Sequence, residues 1–162
     1  MKLFAALLLL GSATAVAKGT TGQATAQKGA EAISVNLAEI QWGAAPPTLP
    51  KGAQMAVMHG DPSKKETFSF RLKLPAGYKI APHWHTNAEQ LTILSGNFVL
   101  HMGDTMDAPG HTLTAGGFHY LPARMHHAAE ASEETIVQVD GIGPFDIHYL
   151  NPADNPAKQA EE

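Results

Sequence analysis

The chain has no cysteine among its 162 residues, and that single absence removes several chemistries. No disulfide can staple the fold, no thiolate can hold a metal, and no thiol nucleophile can act. A lipid anchor attached through cysteine is excluded as well. Basic residues are also scarce: 11 Lys and Arg stand against 15 Asp and Glu, for a formal net charge of −4. Such mild acidity gives no electrostatic reason to bind nucleic acid or an anionic membrane surface. The apolar run from Leu3 to Leu10 is too short to span a bilayer. Beyond it no window of about a dozen residues sustains a helical period, and no nucleotide-binding motif occurs.

What is present begins with Met1-Lys2, the apolar run, and small residues ending in Ala15-Val16-Ala17. A basic start, a short apolar core and an A-x-A end predict a cleaved secretory signal over residues 1–17, with Ala15 as an alternative cleavage point. Removing it takes one lysine and no acid, so the mature charge is (11 − 1) − 15 = −5. The expected product is exported, periplasmic or extracellular, and soluble with no membrane anchor. Its 162 − 17 = 145 residues suffice for one domain with a real core.

Residues 18–30 mix Gly, Thr, Gln and Ala without apolar periodicity and read as a flexible leader. Residues 151–162 have the composition of a flexible tail. Between them, residues 31–150 carry short strands divided by Gly, Pro and Asp turns. Phe68, Phe70, Leu72 and Leu74 alternate with polar residues, as do Phe98, Leu100 and Met102, and Thr135, Val137 and Val139. The fold class is therefore all-β, a single-domain sandwich or small barrel. Six methionines lack the clustering of a copper carrier and are assigned to packing.

Chemistry concentrates in the run from Gly77 to Gly96, which holds His83, His85 and Glu89. Histidines at i and i+2 on a strand project to one face. With a carboxylate four residues on, and a third imidazole from a later strand, they form a nitrogen and oxygen set suited to a divalent transition metal. These residues fit the pattern G-x5-H-x-H-x3-E-x6-G at every fixed position. Gly116, Pro122 and His127 fit part of a second pattern, G-x5-P-x-G-x2-H-x3-N, in which Arg124 replaces glycine and Ala131 replaces asparagine.

On these two motifs the chain resembles the cupin superfamily, here as a small single-domain exported member. The resemblance implies a cupin-type β-barrel, a jelly roll, over residues 31–150. It also implies one divalent metal ion (iron, manganese, copper, zinc or nickel) held by His83, His85, Glu89 and His127. Strand alternation sends His126 and His127 to opposite faces, and the family spacing selects His127. Glycine at position 124 could take positive φ at no cost, whereas arginine does so only under strain. Four protein ligands would leave open positions, which distinguishes a catalytic site from a closed structural one.

Other residues are placed more weakly. His119 and Tyr120, on the approaching strand, could supply a hydrogen bond or a proton near the metal, and Glu89 could double as a base. His59, His101, His111 and His148 have no ligand-like spacing and read as surface residues. The expected function is a metal-dependent oxidoreductase of dioxygenase type acting on a small organic molecule. The alternatives are a cupin isomerase or decarboxylase, or a non-catalytic cupin that binds or senses a small ligand through its metal. By the same resemblance the chain could form a homodimer, with residues 33–40 supplying an exchanged strand.

Overall fold

Residues that alternate in polarity bury one face of each strand in a shared interior, and among the described residues eleven strands result. In the computed structural model, which describes residues 32–159, these are β1 (Gly43–Ala44), β2 (Gln54–His59), β3 (Thr67–Leu74), β4 (Tyr78–Trp84), β5 (Glu89–Ser95) and β6 (Asn97–Met102). They continue as β7 (Gly110–Thr114), β8 (Phe118–Leu121), β9 (His127–Ala131), β10 (Thr135–Ile142) and β11 (His148–Tyr149). The signal expected over residues 1–17 and the leader over 18–30 lie outside the described residues.

Two antiparallel sheets form, in the orders β1-β2-β3-β10-β5-β8 and β11-β4-β9-β6-β7. The alternation implies an all-β fold, and the jelly roll is the one that the resemblance to cupins implies. β10 anchors the larger sheet, pairing with β3 from Thr135↔Leu74 to Ile142↔Thr67 and with β5 on its other side. Phe68, Phe70, Leu72 and Leu74 of β3, Val137 and Val139 of β10, and Phe98 and Leu100 of β6 are all buried. Met102 ends its strand and is 38% exposed. At the turn between β5 and β6, Gly96 has φ 78°. A Cβ there would lie 2.5 Å from the Glu134 carbonyl oxygen, so the turn closes only around glycine.

The C-terminal segment differs from its composition-based reading as a flexible tail. A 3-10 turn covers Pro152–Asp154 and a short helix, α1, covers Pro156–Gln159. Each is opened by an asparagine directly before a proline. Asn151 accepts from the Ala153 N–H and Asn155 from the Ala157 N–H, both at 3.1 Å. These are N-caps followed by proline at the first helical position, a positional signal that composition hides. No helix among the described residues is long and apolar enough to cross a membrane.

Candidate metal centre

The histidines face inward because β4 breaks its own alternation. Tyr78 and Ile80 are buried, and strict alternation would bring Pro82 and Trp84 inward next. Instead Ile80 pairs with Ala129 while His83 pairs with His127. Three steps on β4 therefore oppose two on β9, and the extra residue is a β-bulge at Ala81-Pro82. Proline has no N–H to lose from a ladder, so it suits this position. The bulge reverses parity and turns His83 into the barrel. His85 lies one residue past the end of β4, still buried, and Glu89 opens β5. His127 opens β9 and is 2% exposed.

The main chain fixes the proton on each imidazole. His83 Nδ1–H donates to the Ala81 carbonyl at 2.7 Å, His127 Nδ1–H to the Met125 carbonyl at 3.0 Å, and His85 Nδ1–H to the Asp146 carbonyl. A carbonyl only accepts, so each Nδ1 must carry the proton and each Nε2 keeps its lone pair in the neutral ring. One ligand nitrogen from each of the three rings lies within 4.8 Å of the others. Glu89 Oε2 stands 3.4 Å from His85 Nε2 and 3.8 Å from His127 Nε2.

Electrostatics favour the unprotonated forms of His83, His127 and Glu89. Burial, reinforced by His127 and His85, holds His83 well below the usual histidine range. Burial also lowers His127. Burial alone would raise Glu89, but His85 and His127 outweigh it and keep the group a carboxylate. His85 is opposite in direction: burial disfavours its charge, and contact with Glu89 more than restores it. The set fits a divalent cation on one further observation. His85 Nε2 is buried without a well-formed hydrogen bond, its nearest polar neighbour being Glu89 Oε2 at 3.4 Å, an arrangement that costs free energy unless a cation sits between the two. His83, His85, His127 and Glu89 are the residues that would hold such an ion.

The neighbouring residues sort clearly. His126 turns to the rim, where its Nδ1 lies 2.7 Å from Asp104 Oδ1. Arg124 adopts φ 63°, so the turn ahead of His127 keeps a glycine-like conformation despite the substitution. Its N–H donates to the His85 carbonyl at 2.9 Å, and its guanidinium lies 5.4 Å from the centre of the Trp84 ring. Trp84, half-buried outside the barrel, stacks on His148 at 4.0 Å. Tyr120, considered from sequence as a residue supporting the metal, pairs with Gln90 and is 54% exposed. It lies on the face of β8 away from the cluster, because Leu121, opposite Glu89, takes the inward position. His119 is the inward-facing member of that pair, opposite Leu91, and burial lowers its pKa.

Asp146 carried no signal in the sequence. Its carbonyl holds His85, and its carboxylate accepts from the Thr86 N–H at 2.8 Å and lies 3.0 Å from His148 Nε2. His148, read from sequence as a surface histidine, is exposed, and its imidazole meets the Asp146 carboxylate. Phe145 stacks on the His85 ring at 4.7 Å and meets Phe70 edge-on at 5.2 Å. The cluster opens on a cavity of 440 Å³ walled by side chains such as Leu72, Leu91, Leu100, Val137 and Phe145.

Comparison with known proteins places this architecture. Residues 10–148 match the family described as "Domain of unknown function (DUF4437)". The chain belongs to the DUF4437 family. Its structural neighbours include an RmlC-like cupin from Shewanella frigidimarina (TM-score 0.54, 15% identity, covering 70% of this chain and 93% of that one), and its fold is a cupin fold. The polyketide cyclase RemF from Streptomyces resistomycificus superposes with TM-score 0.65 at 11% identity, covering 82% of this chain and 94% of that one. An acetylacetone dioxygenase from Acinetobacter johnsonii gives TM-score 0.60 at 13% identity, covering 84% and 93%. The DMSP lyase DddQ from Ruegeria pomeroyi gives 0.56 at 19% identity, covering 71% and 63%. No protein of curated function matches this DUF4437 chain by sequence.

Proposed function

We propose that this DUF4437 protein is a mononuclear metal-dependent oxidoreductase of dioxygenase type, acting on a small organic molecule. The observation that carries the reading is the convergence of three main-chain-locked imidazoles and Glu89 on the wall of an apolar cavity. A divalent ion held there would supply Lewis acidity and, if redox-active, access to dioxygen chemistry. The chain's own residues do the rest. The apolar walls exclude water from a bound molecule, which strengthens each polar contact made at the cluster. The carboxylate of Glu89 can take a proton from an O–H or C–H acid brought against it. That the fold also carries a cyclase and a lyase means the ligand set alone does not choose the reaction. The dioxygenase among the neighbours, and the lack of any nucleotide motif, favour dioxygen.

Metal analysis of wild type against His83→Ala tests the centre, and equal metal in the two sinks it. Oxygen uptake during a screen of catechols, flavonoids, keto acids, oxalate and 1,3-diketones tests the reaction. Uptake that depends on substrate and vanishes in His83→Ala supports a dioxygenase. Tight ligand binding without turnover under any metal points to the ligand-holding alternative. The reading also places the protein outside the cytoplasm, on the pattern of residues 1–17. N-terminal sequencing of protein from cell fractions should find Lys18, or Val16 for the earlier cleavage.

A further inference from the structure

We infer that the molecule bound in this cavity is neutral and largely hydrocarbon, with its oxygen donors confined to one end. The inference rests on the cluster being where that polar end sits. Among the described residues that line the cavity there is no lysine and no arginine, while Glu89 and Asp146 both contribute to its wall. A second carboxylate or a phosphate on the ligand would meet acids and hydrocarbon, with no cation to offset its desolvation. The polar side chains outside the cluster are few and mostly committed. Ser63 Oγ donates to Asp61 at 2.7 Å, and the Asp146 carboxylate is occupied by the Thr86 N–H and His148. Thr48 adds an uncharged hydroxyl. A sugar or polyol would therefore bury hydroxyls that find no partners.

The shape of the void agrees. On β10, Gly141 lies opposite Glu89, Val139 opposite Leu91 and Val137 opposite Ile93. The apolar wall thus extends from the cluster to Val137 and Leu72, about 13 Å along the strand at roughly 3.3 Å per residue. The volume equals roughly fifteen waters of bulk liquid. A ligand of about ten to fifteen non-hydrogen atoms fits it, such as an alkyl- or aryl-substituted 1,2-diphenol or 1,3-diketone.

Two probes with the same head and different tails test this: 4-propylcatechol and 3-(3,4-dihydroxyphenyl)propanoate. Each is titrated calorimetrically, without oxygen, into the zinc-loaded full chain and into metal-free protein. The propyl compound should bind at least tenfold tighter to the loaded chain, and the same ranking should persist without metal, because the walls set it. Ala129→Leu, which fills the cavity beside Leu100, should weaken the propyl compound at least tenfold while zinc content is unchanged. Val139→Phe is the substitute if that variant does not fold. Equal affinities, tighter binding of the carboxylate, or binding of neither probe would overturn the inference. Failure to retain zinc with the ranking intact would instead overturn the metal centre and leave the ligand class standing.

Discussion

Arg124 offers the sharpest quantitative test, because helix and strand propensities play no part in it. A residue with a Cβ in the left-handed region costs about 1–2 kcal/mol, and Arg124 sits there at φ 63°. Its guanidinium lies 5.4 Å from the Trp84 ring centre, and at an exposed position that contact contributes about 0.5–1 kcal/mol. Arg124→Ala keeps the strain and loses the contact, so it should destabilise by about 0.5–1 kcal/mol. Arg124→Gly loses the same contact and gains about 1–2 kcal/mol of strain relief, less about 0.4–1 kcal/mol for the freedom glycine adds to the unfolded chain. The glycine variant should therefore match the wild type within about 0.5 kcal/mol and exceed alanine by about 1 kcal/mol, or roughly 3–5 °C in Tm. Urea unfolding of the metal-free proteins measures both. Alanine equal to or more stable than glycine would refute the claim of strain at this turn.

The other tests concern the site and its frame. Gly96→Ala combines a positive φ with a Cβ 2.5 Å from the Glu134 carbonyl oxygen, and should cost about 3 kcal/mol or more in the same assay. Asp146→Ala removes the carboxylate that accepts from the Thr86 N–H and contacts His148; metal affinity should fall roughly tenfold or more by competitive chelation, with the backbone carbonyl to His85 retained. Metal-free protein should lose stability as pH falls below 6.5, the ordinary histidine value. The sign follows because His83 and His127 are lowered and stay neutral when folded, so the unfolded chain takes up more protons. His85, which is raised, opposes them, so a urea midpoint at pH 5.5 equal to that at pH 8 would contradict the balance. Tyr120→Phe should leave metal content unchanged, since the ring is exposed on the other side of β8.

How far the sequence discloses this molecule depends on whether a feature is written in side chains. Alternation at Phe68 to Leu74 and Thr135 to Val139 is periodic and local, and it places β3, β10 and the core directly. The motif spacing names the three histidines that the fold gathers, and Arg124 in a glycine position points to the turn that proves left-handed. Tyr120 escaped because only the register with β5 says which residue of β8 faces inward. Asp146 escaped because its main contribution is a carbonyl, which every residue possesses. The bulge at Ala81-Pro82 is visible only once β4 is set against β9. The cavity was hidden for a similar reason: alternation says which side chains face inward and nothing about whether they meet.

The carbonyls of Ala81, Met125 and Asp146 have a further consequence for anyone who would rebuild this centre elsewhere. Copying the histidines and the glutamate onto another barrel would transfer the ligands without the instructions for which ring nitrogen to present. Those instructions reside in the path of the backbone two residues before His83, two before His127 and sixty-one after His85. The smallest transplantable unit is therefore a pair of bent strand ends plus a distant loop, and a graft lacking any of them should bind metal with a mixed population of tautomers.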